Sequence, residues 1–217
     1  MNQPNHDALN LLNAAESKLG QFDAYLYDCD GTLADSMMPH KEAWVEQIHR
    51  YADDIDAETI HALIDELAGM PGFKTVEIIN QRFKKSLDGH QMAIDKEQLF
   101  FEKYINRVTP IQFVVDHLIA RSNEGKKIAV VSGGRKKVVS HILKTLKIDH
   151  LVSSLICAED VKHGKPDPEP FLMAAEQLGV SPSKCLVLED AEMGVRSAIA
   201  GNMKWIRIDQ LSRMSGV

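Results

Sequence analysis

The chain has 217 residues, 44% hydrophobic and 26% charged, a mixture that excludes a disordered, collagenous or coiled-coil protein. That length supports a hydrophobic core without disulfides or a structural metal. The net charge of −6 argues against nucleic-acid and anionic-membrane partners, and no apolar run approaches the roughly 18 residues of a membrane span.

At the N-terminus, Met1–Asp7 has neither a basic nor an apolar region, so it does not read as a secretory signal. Ala24–Tyr27 is the first short apolar run. From about Met37 to Arg107 no strand-like run occurs; the spacing predicts helices over 40–52, 57–68, 74–86 and 92–107, with breaks near Asp53-Asp54, Gly69-Met70-Pro71-Gly72 and Asp88-Gly89. Further apolar runs follow at Lys127–Val131, Ser154–Cys157, Cys185–Leu188 and Lys204–Ile208. Near-continuous apolar character marks strands buried on both faces, as in a parallel sheet. Between them lie helices: Lys137–Leu146, Pro170–Leu178 closed by Gly179, and about Ala191–Ala200 closed by Gly201.

This order predicts an α/β fold, a Rossmann-like parallel five-stranded sheet flanked by helices. Residues 1–36 and 108–217 would form the α/β core, and 37–107 an inserted all-α cap domain, with a ligand cleft between them. Cys29, Cys157 and Cys185 are odd in number and lack C-x-x-C spacing. They read as buried, reduced thiols of a cytoplasmic protein.

The first strand runs into Asp28-Cys29-Asp30-Gly31-Thr32-Leu33-Ala34-Asp35-Ser36. Two carboxylates at a parallel strand's C-terminal end stand where open α/β sheets bind ligands. Their mutual repulsion favours a cation, and hard Mg²⁺ suits oxygen ligands.

This segment resembles motif I of the haloacid dehalogenase superfamily of phosphatases and phosphomutases. The resemblance implies that Asp28 is the nucleophile forming an aspartyl-phosphate and that Asp30 is the general acid/base. Further motifs follow in family order, each after its own strand. Ser132, in Val130-Val131-Ser132-Gly133-Gly134, would hydrogen-bond the phosphoryl group. Gly133 and the neighbouring backbone N–H groups would favour its anion. Lys165, in Lys165-Pro166-Asp167-Pro168-Glu169-Pro170-Phe171, would neutralise the phosphate and Asp28. In Leu188-Glu189-Asp190-Ala191-Glu192-Met193-Gly194, Asp190 would ligate Mg²⁺ with Asp28 and the Asp30 carbonyl. Glu189 is either a further ligand or a partner behind the ligands.

Asp30 points to a phosphatase or phosphomutase. Pro39-His40-Lys41-Glu42-Ala43-Trp44 is similar to the hexose-phosphate group that includes β-phosphoglucomutase and fructose-1-phosphate phosphatases. There His40 would help close the cap. In the cap loop the mutase places a phosphate-holding arginine where this chain has Gly72; the cation here is Lys74, closer to the phosphatase pattern. Arg135 occupies a position that contacts sugar phosphate in the family. The expectation is therefore a Mg²⁺-dependent phosphatase of a small sugar phosphate. The alternatives are a β-phosphoglucomutase-type mutase and a phosphatase of another small phosphorylated metabolite. A monomer is the default, and a non-catalytic binding role is disfavoured by the intact motifs.

Overall fold

The computed structural model describes residues 3–67 and 70–215. Gly69 of the expected cap loop, and Met1, Asn2 and Val217 at the chain ends, lie outside them.

Strand β1 (Ala24–Tyr27) is the centre of a five-stranded, all-parallel sheet. It pairs on one side with β4 (Lys127–Val131) and on the other with β6 (Cys185–Glu189). Strand β5 (Ser154–Ile156) extends the first side and β7 (Lys204–Arg207) the second. After β1 the chain builds one half of the sheet and then the other, so the connections leaving the neighbouring strands β1 and β6 run to opposite sides of the sheet. Such a switch point, at the C-terminal ends of the strands, is where open α/β sheets bind ligands.

The predicted α/β architecture and its strands are those observed. Ala24 and Leu26 point to one face, where they join Ala129, Val131, Val187 and Phe171 in a buried cluster. Tyr25 and Tyr27 alternate to the other face. Each fully buried large aliphatic side chain stabilises the fold by about 1.5–3 kcal/mol. The helices of this half are α1 (Gln3–Leu19), α6 (Gln112–Asn123), α7 (Lys136–Thr145), α8 (Glu169–Leu178), α9 (Glu192–Ala200) and α10 (Ile208–Ser215).

The chain divides into two compact units: one ends at Asp35 and resumes at Thr109, and the other spans Ser36–Val108. The second unit holds α2 (Met37–His49), α3 (Ala57–Glu66), α4 (Gly72–Phe83) and α5 (Gly89–Leu99). Trp44, Ile48, Ile60, Leu63, Val76 and Ile79 are among the side chains that form its core.

Several boundaries differ from expectation, each for a local reason. Helix α2 starts at Met37, not residue 40, because Pro39 falls in its first turn, where no amide N–H is needed. Helix α5 starts at Gly89 because Asp88 caps it, accepting the Gln91 N–H at 3.0 Å. It gives way after Leu99 to a π-turn (Phe100–Tyr104) and a 3₁₀ turn (Ile105–Arg107), so no single helix covers 92–107. Pro170 is the second residue of α8, after Glu169, and Gly179 is left-handed at φ 62°. After α9 the left-handed residue is Asn202 (φ 54°), while Gly201 has an ordinary φ of −80°. Helices α1, α6 and α10, and a two-stranded ribbon of β2 (Ala34–Asp35) with β3 (Thr109–Pro110), lie outside the elements the sequence predicts.

Candidate active site

The site grows from the ends of β1, β4 and β6. Asp28 is the first residue beyond β1, and its N–H still donates to the Leu188 carbonyl at 2.9 Å. The next residues turn sharply: the Leu33 and Ala34 N–H groups both donate to the Cys29 carbonyl at 2.9 Å. Gly31 sits in this turn at φ +84°, and a Cβ there would collide with the Asp190 carboxylate. Only glycine meets both demands.

Ser132 ends β4 in the same way, donating its N–H to the Ile156 carbonyl at 2.9 Å. Its hydroxyl accepts the Gly134 N–H at 3.0 Å. A methyl group on Gly134 would stand 3.3 Å from the Ser132 Oγ and 3.7 Å from Asp30 Oδ2, which brings hydroxyl and carboxylate to one place.

The Lys165 ammonium is buried and donates three hydrogen bonds: to Asp28 Oδ1 at 2.6 Å, Glu189 Oε2 at 2.6 Å and the Val131 carbonyl at 3.0 Å. The other Glu189 oxygen accepts the Ala191 N–H at 3.1 Å. Gly194 leaves room for this carboxylate, because a Cβ at that position would strike it.

Ligand atoms of Asp28, Glu189 and Asp190 all lie within 4.8 Å of one another. Burial is the largest effect on each aspartate. It drives Asp28 well above the usual carboxylate range; the Glu189 charge adds to this, and the Lys165 charge opposes both without cancelling them. Asp190 is pushed up to about 7 by burial and then Glu189, against the hydrogen bond from Thr32. Burial also works against the Lys165 charge, but Asp28 and Glu189 outweigh it and hold the ammonium above its ordinary range. Three carboxylates around one ammonium leave an excess of negative charge out of water. This donor set fits a hard divalent cation such as Mg²⁺.

Two residues of this site were not anticipated. Thr32 Oγ1 donates to Asp190 Oδ1 at 3.1 Å. Arg207 Nε donates to the Asp190 carbonyl and to Asp209 Oδ1, both at 2.8 Å. Thr32 lies inside the first motif. Arg207 has no local signal and reaches the site only through the β6–β7 register, in which it pairs with Glu189.

The remaining expected residues fall in three places. Gly133 is exposed, and a Cβ there would meet open space, so packing does not demand glycine. Arg135 caps α7, with its Nε 3.5 Å from Glu159 Oε1. In the helical unit, Lys74 is exposed in the first turn of α4. His40 stacks on Phe100 at 3.8 Å, and its Nδ1 accepts from Lys96 Nζ at 2.7 Å. Lys96, which no sequence motif marks, is buried, with its ammonium 5.3 Å from the Trp44 ring centroid. Gly72 is close-packed: a Cβ there would stand 3.1 Å from the Ala93 Cβ and 3.5 Å from Trp44 Cζ2.

A family model described as haloacid dehalogenase-like hydrolase matches residues 22–202. The chain is 29% identical over 184 residues to fructose-1-phosphate phosphatase YqaB of Escherichia coli, covering 84% of this chain and 94% of that one. It is 27% identical over 200 residues to β-phosphoglucomutase of Bacillus subtilis, covering 89% and 86%. A solved hydrolase from Pseudomonas syringae superposes with a TM-score of 0.74 at 25% identity, covering 88% and 90%.

Proposed function

The chain belongs to the haloacid dehalogenase-like hydrolase family, and on that premise we propose that it hydrolyses the phosphomonoester of a small sugar phosphate through an aspartyl-phosphate on Asp28. The observation that carries this reading is the Lys165 ammonium clasped between Asp28 and Glu189, with Asp190 alongside, at the C-terminal edge of the sheet.

In this reading Lys165 orients the Asp28 carboxylate and offsets the charge of the incoming phosphoryl group. Asp28 attacks phosphorus and the ester P–O bond breaks. Asp30 gives its proton to the departing sugar oxygen. A water then attacks the aspartyl-phosphate and loses its proton to Asp30. The products are inorganic phosphate and the restored Asp28 carboxylate. The Ser132 hydroxyl, near the Asp30 carboxylate, would steady the phosphoryl oxygens. Asp28, Asp190 and the Asp30 carbonyl would hold Mg²⁺, which supplies charge neutralisation at the phosphoryl group. Both Glu189 oxygens are engaged, so its part is to aim Lys165.

The likeness to fructose-1-phosphate phosphatase supports a sugar phosphate as substrate. The close packing of Gly72 against Ala93 and Trp44 speaks against a phosphate-gripping arginine at that position, and so against a mutase.

The test is phosphate release with Mg²⁺ across fructose 1-phosphate, β-glucose 1-phosphate and 6-phosphogluconate. Release by the wild type and none by Asp28→Asn is expected. Formation of glucose 6-phosphate from β-glucose 1-phosphate without release would establish the mutase instead.

A further inference from the structure

We propose that Glu159 sets the charge of the substrate. Its carboxylate covers the cationic shoulder formed by Arg135 and the N-terminus of α7, and so favours sugar monophosphates over bisphosphates. This rests on the phosphatase reading of the site.

The shoulder begins three residues beyond Ser132. Gly134 lies against both the Ser132 hydroxyl and the Asp30 carboxylate, and Arg135 and Lys136 follow it directly. A guanidinium, an ammonium and the Lys136 N–H at the helix start would together attract a second phosphoryl group were they not already matched.

The chain fills this position with its own anions. Glu159 Oε2 accepts the Lys136 N–H at 3.0 Å, and Oε1 lies 3.5 Å from Arg135 Nε. Asp160 Oδ1 accepts from Lys136 Nζ at 2.7 Å, which raises the affinity of that lysine for its proton. The acidic turn is tied in place from both ends. The Ala158 N–H donates to the Gly134 carbonyl at 3.1 Å, and Asp160 Oδ2 accepts the Cys157 N–H at 2.9 Å. Two cations thus face two carboxylates. A doubly charged distal phosphate would have to displace Glu159 from the helix N-terminus and then approach its charge. A neutral sugar hydroxyl carries no such penalty.

Glu159→Gln keeps an acceptor for the Lys136 N–H and removes the charge. The measurement is calorimetric binding of fructose 1-phosphate and fructose 1,6-bisphosphate to Asp28→Asn, which is blocked in turnover, with and without Glu159→Gln. The substitution should raise the bisphosphate-to-monophosphate affinity ratio about tenfold, the size of one modest charge interaction. A ratio unchanged within about twofold would overturn the proposal; so would failure of both sugars to bind either variant. Phosphate release by the wild-type chain is read separately. A shifted ratio without release would sink the phosphatase reading alone, and release with an unshifted ratio would sink only the role of Glu159.

Discussion

Asp190 is held from three sides: the Thr32 hydroxyl meets its carboxylate, Arg207 fixes its carbonyl, and the bare α-carbon of Gly31 leaves it space. A carboxylate held in this way presents its free oxygen in one orientation. Mg²⁺ should raise the thermal midpoint of the wild-type protein and leave that of Asp190→Asn unmoved; an equal rise in both would remove Asp190 from the ion's ligands. Gly194→Ala is expected to push Glu189 off Lys165 and to lower kcat by about 10²-fold, the scale of one misplaced charge-stabilising group. Steady-state kinetics with KM little changed would bear this out, whereas an unaltered kcat would show that Glu189 does not aim the lysine. Asp28, Ser132, Lys165 and Asp190 were legible because each lies in a short contiguous motif after a strand. Arg207, Lys96 and Glu159 were not. Register or packing alone puts them beside their partners.

At the scale of elements, the least expected feature is how α1 is bound. Its Ala8, Leu12 and Glu16 lie on one buried stripe. Glu16 Oε2 accepts from His117 Nε2 at 2.8 Å, and His117 Nδ1 meets the Tyr27 hydroxyl at 2.8 Å. The Tyr25 hydroxyl also donates to Glu16, and Arg121 stands 3.4 Å away. One carboxylate thereby joins α1, β1 and α6. Burial pushes the Glu16 carboxyl up, but the hydrogen bonds from His117 and Tyr25 and the Arg121 charge outweigh it and leave it below its ordinary 4.5. A carboxyl depressed by folding stabilises above its unfolded value and loses that contribution as pH falls through the folded one. Glu16→Gln should cost about 2 kcal/mol at pH 7, as for a weakened buried hydrogen-bonding partner. In denaturant titrations the gap from wild type should close as the pH drops below 4.5. A gap that stays constant down to acid pH would contradict the ionised state of Glu16. A lone acid in a polar stretch gives no sign of a buried partner 101 positions away, which is why α1 escaped the sequence. The central strands β1, β4 and β6 did not escape it, because burial on both faces writes itself as a nearly unbroken apolar run.

Across the whole molecule, the ribbon of β2 and β3 pairs Asp35 with Thr109, so the chain leaves and rejoins the α/β unit at adjacent positions. An all-helical unit can thus be inserted without parting the sheet's strands. None of the helices in the described residues is long and apolar enough to cross a membrane. The parallel architecture was legible because apolar runs alternate with helical stretches in chain order. The starts of helices α2 and α5 depend on a single proline and a single cap, which blur in sequence.

In the proposed mechanism Asp28 carries the phosphoryl group during turnover. The most direct measurement is mass spectrometry of enzyme quenched in acid during turnover of fructose 1-phosphate with Mg²⁺. The expected result is the mass of one phosphoryl group on the peptide containing Asp28, and neither label nor turnover in Asp28→Asn. Phosphate release by Asp28→Asn, or turnover with the phosphoryl group trapped on another residue, would contradict it.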